Sequence, residues 1–210
     1  MPVLKHVECL QQVGWRLSLW ARVLIPPPLA VGYAVCFVVI AALGNKAVPL
    51  LTDLGDSRLV YFSAAVFSTF AGFASGAPGP FWSGPRTLRS TAMATSWAAV
   101  LVLLAAIPAA GLMLGHGVSV AVITCAVSVS LAAALTGALL LGRVHCGYAP
   151  IAVTATAMFS VYSPWSPLFF GWMFDPGMAR EHVGLSLAAL VCSLAAWATW
   201  GDLSDDTSAR

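Results

Sequence analysis

Between Arg89 and Arg143 the chain carries no aspartate, glutamate, lysine or arginine, and none falls between Arg143 and Asp175 either. Segments of that kind cannot cover a surface that faces water. The whole chain follows the same rule, with 60% hydrophobic and 9% charged residues over 210 positions. A soluble domain carries roughly 25% charged residues. The sequence therefore predicts an all-α polytopic membrane protein.

A helix needs about 20 mostly apolar residues to cross the hydrocarbon. Six runs qualify as spans: Val23–Gly44, Ser57–Ser75, Ala92–Leu114, Val118–Leu141, a short Tyr148–Tyr162, and Val183–Trp200. The runs are unbroken rather than alternating, which argues against a barrel. The first run has no small-residue cleavage pattern after it and carries three prolines, so it does not read as a signal peptide. Three regions result: an interfacial segment 1–22, a six-span region 23–200 and a short tail 201–210.

Basic residues near the span ends set orientation. With the N-terminus inside, the inner segments hold Lys5, Arg16, Arg22, Arg86, Arg89, Arg143 and Arg210, and the outer ones Lys46, Arg58 and Arg180. That bias predicts a multi-pass protein of the cell membrane with both termini in the cytoplasm. In the N-terminal segment Leu4, Val7, Leu10, Val13, Leu17 and Trp20 recur at helical spacing, while Lys5, Glu8, Gln11, Gln12 and Arg16 fill other positions. Such a helix lies along the membrane surface, as a topology anchor or as a working element. Ile25–Pro28 then predicts a bend into the first span.

The eight acids all fall outside the predicted spans. Ion-driven carriers usually keep ionisable groups within the membrane, and an enzyme there would need a nucleophile, base or metal ligands. No enzymatic activity, cofactor or metal is expected. Ser128, Ser130 and Thr136 read as helix-contact residues, and Gly72 and Gly76 as a small-xxx-small pair permitting close approach. The cysteines are scattered, and His145–Cys146 lacks the further ligands that a zinc site requires.

Two connecting segments stand out. Val161–His182 is too long for a turn and unusually aromatic. Pro164 and Pro167 break helices, while Leu168–Phe174 is apolar enough to stay in the membrane, so a re-entrant or interfacial segment is predicted before the last span. Trp165, Phe169, Phe170 and Trp172 would lie at the outer boundary, as a depth-setting belt or as a lid at the exit of a path. On the inner side, Gly76–Ser90 places Phe81 and Trp82 among glycines and prolines, with Arg86 and Arg89 alongside. Apolar anchors with a polar rim compose a docking patch.

A surface helix, a bend, six spans, the stretch Gly84–Trp97 (GPRTLRSTAMATSW) after the second span and an outer element before the last span together resemble the permease subunit of an ABC-2 type ABC transporter. The match is one of architecture and of the Thr87–Leu88 core, with Arg89 where the family carries an acidic residue. The resemblance implies export of a hydrophobic or amphipathic compound such as a drug, peptide or lipid. It also implies an ATP-binding cassette subunit as partner, docked at Phe81, Trp82, Arg86 and Arg89, and a second permease subunit. The chain has no G-x-x-x-x-G-K-[ST] run of its own. Membrane lipids are the other expected partner, and no nucleic acid is expected. Two alternatives share this outline: the substrate-binding component of a vitamin-uptake transporter, and a membrane immunity or sensor protein.

Overall fold

The computed structural model describes residues 27–46, 59–75, 88–142, 145–160 and 170–200. Each apolar run is helical within them. Helix α1 is Pro27–Leu43 and α2 is Phe62–Ala74, entered through a 3-10 turn at Leu59–Tyr61; α3 is Leu88–Gly115, α4 Val120–Leu141, α5 Tyr148–Ser160 and α6 Pro176–Trp200. No strand occurs among the described residues.

Three stretches are long and apolar enough to cross a membrane: Ser96–Gly115 in α3, Val120–Leu141, and Pro176–Ala198 in α6. The chain is thus a membrane-inserted helical protein. Pro28–Leu43 and Leu59–Ala74 are shorter apolar helices, and α5 has 13 residues. The predicted surface helix over 1–22 and the tail 201–210 lie outside the described residues.

Local chemistry sets the helix starts. Pro27 and Pro28 occupy the first turn of α1, where a missing N–H costs nothing. Ser119 precedes α4 and accepts from the Val122 N–H at 3.4 Å. Asp175 precedes α6, and its Oδ1 accepts from the Gly177 N–H at 2.8 Å and the Met178 N–H at 3.3 Å. These caps satisfy donors that a helix start leaves open.

Helix α4 lies at the centre, packed by α2, α3, α5 and α6. Cys125 Sγ donates to the Ala179 carbonyl at 3.3 Å, and Thr136 Oγ1 lies 3.3 Å from Ser193 Oγ, so α4 and α6 run side by side in one direction. Helix α2 runs that way too. Val60, Ala64 and Phe67 share one apolar cluster with Val122, Ile123 and Ala126, whereas Ala71 and Ala74 share another with Leu131 and Leu135. Helix α5 opposes α4, pairing Ser130 with Thr154 midway and Gly137 with Ala149 near the other end.

Small residues permit these approaches. A Cβ on Gly72 would sit 3.1 Å from Cys146 Sγ and 3.3 Å from Ala134 Cβ, so the close approach expected of the Gly72–Gly76 pair is present at Gly72, while Gly76 lies outside the described residues. On Gly137 it would meet Ala149 Cβ at 3.0 Å and the Cys146 carbonyl at 3.2 Å. The outward faces instead carry Val31, Leu103, Ile107, Leu185 and Val191, all exposed. Lipid is as apolar as leucine, so such faces are stable without protein cover.

Pro108 lies within α3. It has no N–H to give the carbonyl of Leu104 one turn earlier. The Tyr33 hydroxyl of α1 donates to that carbonyl at 2.8 Å, while the Tyr33 ring stands edge-on to Phe67 and Phe70 at 4.9 and 5.4 Å. One phenol thus satisfies the broken ladder of α3 and fastens α1 to the bundle.

Candidate functional site

Two features set this bundle apart from a plain apolar one: a buried aromatic turn at the end near His116, and a hydroxyl-bearing interior. The turn is built from Phe170 to Asp175. Phe170 has a left-handed backbone (φ 61°), the one positive φ at a non-glycine among the described residues. An aromatic residue held there costs energy, and the surrounding packing must offset it. The chain then makes a 3-10 turn at Gly171–Met173 and enters α6 through the Asp175 cap.

The side chains of this turn point inward. Trp172, Met173 and Phe174 are all buried and belong to the same cluster as Phe67, Ile123 and Met158. The Trp172 ring stacks on His182 of α6 at 4.7 Å with the planes 23° apart. His182 Nδ1 lies 2.8 Å from the Met178 carbonyl. Phe174 meets Tyr61 at 5.0 Å. Phe170 remains exposed, 6.3 Å from the Trp172 ring. The turn is therefore a stopper wedged into the α4–α5–α6 end of the bundle, with Phe170 at its surface.

The interior is polar in a restricted way. Every buried polar side chain among the described residues is a serine or threonine: Ser63, Ser68, Ser75, Ser128, Ser130, Thr154, Ser160 and Ser186. Ser130 Oγ lies 3.4 Å from Thr154 Oγ1, and Ser186 Oγ lies 3.5 Å from Cys125 Sγ while donating to the Val183 carbonyl at 2.9 Å. The Ser130–Thr154 and Ser186–Cys125 contacts lie between helices, as does the Thr136–Ser193 contact, matching the reading of Ser130 and Thr136 from the sequence; none is shown for Ser128. Ser63 Oγ and Ser68 Oγ, by contrast, are buried with no partner.

At the opposite end Cys146 is fully buried between Gly72 and Gly137. Burial pushes its thiol up to about 11. No group of three or more His, Cys, Asp or Glu side chains that could hold a metal occurs among the described residues.

Of the residues singled out for partner docking, Phe81, Trp82 and Arg86 lie outside the described residues. Arg89 falls in the first turn of α3, and its side chain lies outside the description. Of the predicted exit residues, Trp165 and Phe169 also lie outside it, while Phe170 and Trp172 share the stopper. Sequence reasoning missed the Tyr33–Leu104 contact, the orphaned Ser63 and Ser68, and the part His182 plays beneath Trp172. A proline inside an apolar run did signal a free carbonyl at Leu104. No comparable signal marked the tyrosine that takes it.

No family model matches the chain, and no curated protein or solved structure matches it either.

Proposed function

We propose that this chain is the membrane-spanning permease subunit of an ATP-driven transporter of the ABC-2 type, exporting a hydrophobic or amphipathic compound. The observation that carries the reading is an interior that, among the described residues, is uncharged and hydroxyl-bearing within an apolar exterior, closed at one end by the Phe170–Asp175 stopper. Such an interior offers apolar contact and neutral hydrogen bonds, which suit an amphipathic molecule. Among the described residues it offers an ion no countercharge. All six helices span in this reading, the shorter ones with the help of flanking residues, and both termini lie in the cytoplasm. The stopper then closes the outer end, and the Gly76–Ser90 segment faces the ATPase.

ATP hydrolysis belongs to a partner, docked through Phe81, Trp82, Arg86 and Arg89, and a second permease subunit completes the assembly. Mild-detergent purification from native membranes tests the reading. The chain should bring down an ATP-binding cassette protein, and replacing Phe81 and Trp82 with alanine should release it while leaving the chain inserted and folded. Purification with a tightly bound small molecule and no such protein would overturn this reading in favour of a binding component.

A further inference from the structure

We infer that the junction of α2, α4 and α5 around Ser68, Ser130 and Thr154 binds the neutral hydrogen-bonding group of an amphipathic cargo, a hydroxyl or an amide rather than an ion. The inference rests on the transporter reading above and gives it a site.

The helix register places the three residues together. Gly72 of α2 faces Ala134 of α4, and the two helices run in the same direction. One turn back along each helix, on the same faces, stand Ser68 and Ser130. Thr154 of α5 reaches Ser130 from the third side at 3.4 Å. All three residues are fully buried.

Their hydrogen bonding is incomplete. The Ser130–Thr154 contact is long for two hydroxyls, whose usual separation is about 2.7–2.8 Å. Ser68 Oγ has no partner at all. A serine one turn from a carbonyl can ordinarily satisfy itself along its own helix, as Thr69 does with the Ala65 carbonyl at 2.9 Å. A buried hydroxyl without a partner destabilises the state that contains it. In this conformation Ser68 contributes nothing that alanine would not. Its hydroxyl gains a role when α2 parts from α4 and a hydrogen-bonding group enters.

The chemistry of the entrant follows from what surrounds the site. The neighbouring buried side chains, Phe67, Ala71, Val127, Leu131 and Ala157, are all apolar. An ion entering without a countercharge would carry a large desolvation cost. A hydroxyl or amide needs only the donors and acceptors that three hydroxyls provide.

Photolabelling of the purified chain in lipid nanodiscs tests the site without the ATPase. The probes are an eight-carbon aliphatic alcohol carrying a diazirine and the matching diazirine alkane. The alcohol should form adducts on segments 64–72, 127–134 or 151–157, and the alkane on outward positions such as Ile107 and Val191. Ser68→Ala should lower the junction adducts about fivefold, the loss of one neutral hydrogen bond, without lowering Tm. Thr154→Val, close in shape, should act in the same direction. Identical adduct maps for alcohol and alkane would overturn the inference, as would unchanged junction labelling in both variants. Absence of a co-purifying ATPase overturns the transporter reading alone; absence of junction adducts, with the ATPase present, overturns this site alone.

Discussion

Helices α4 and α6 run side by side in the same direction and are both long and apolar enough to cross a membrane, yet their surroundings are opposite. Of the apolar window in α4, 72% is buried within the protein, against 17% for α6. Hydropathy puts both in the membrane and says nothing about which is inside. The difference lies in side-chain volume and hydrogen bonding. Helix α4 turns Ala126, Ser130, Ala134 and Gly137 towards its neighbours, while α6 turns Leu185, Leu187 and Val191 outward. With lipid as apolar as any side chain, helices associate through close fit and interhelical hydrogen bonds. A small residue therefore means an interior position only where a neighbour approaches it.

The sharpest way to break the comparison is to place the same side chain on both helices. Gly137→Leu drives a branched side chain into Ala149 and the Cys146 backbone and should destabilise the protein by more than about 3 kcal/mol. Gly184→Leu on α6 meets nothing within 4 Å and should stay within about 0.5 kcal/mol. Unfolding in mixed micelles measures both, and equal losses would erase the distinction between the two helices.

A smaller effect tests whether hydrogen bonding, as well as volume, distinguishes interior from exterior. Tyr33→Phe leaves the Leu104 carbonyl unpaired and should cost about 1–3 kcal/mol. Pro108→Ala gives that carbonyl an N–H from its own helix, so in the Pro108→Ala background the same Tyr33→Phe change should cost clearly less. A double-mutant cycle with zero coupling would show that the phenol contributes only its ring.

The smallest effect is on a reaction rate. In detergent, N-ethylmaleimide should modify buried Cys146 slowly in the folded protein and readily once the protein is unfolded. The thiolate is the nucleophile, and a thiol pushed up to about 11 stays protonated at pH 8. The Cys146 rate should climb about tenfold per pH unit until the pH approaches that value, then level off. A plateau already reached near pH 9 would show that the cysteine is not sealed between Gly72 and Gly137.

Much of the fold was legible because one physical demand, satisfying the backbone in lipid, turns every long apolar run into a helix. The limits of that logic appear at helix starts. The last helix begins at Pro176, seven residues before the apolar run at Val183, because the Asp175 cap and Pro176 extend it through Arg180, Glu181 and His182. The aspartate–proline pair was a start signal that hydropathy alone passes over. The site was less legible. An aromatic cluster marked the Val161–His182 segment, but only the left-handed backbone at Phe170 turns Trp172 inward instead of along a boundary. Nothing in a phenylalanine announces that conformation. Ser68 looked like any other serine in an apolar helix, since its distinction is a missing partner, which no sequence displays.

Pro108 has a mechanical consequence. Helix α3 runs unbroken from Leu88 to Gly115 but lacks one backbone hydrogen bond at Pro108, and that weak point is held from outside by the Tyr33 hydroxyl of α1. A force that pulls α1 sideways loads the Leu104 carbonyl first. A force applied along α3 from its Leu88 end reaches that weak point before it reaches His116 and the far end of the bundle. The helix thus has a missing rung at Leu104, and a single hydrogen bond from a neighbouring helix secures it.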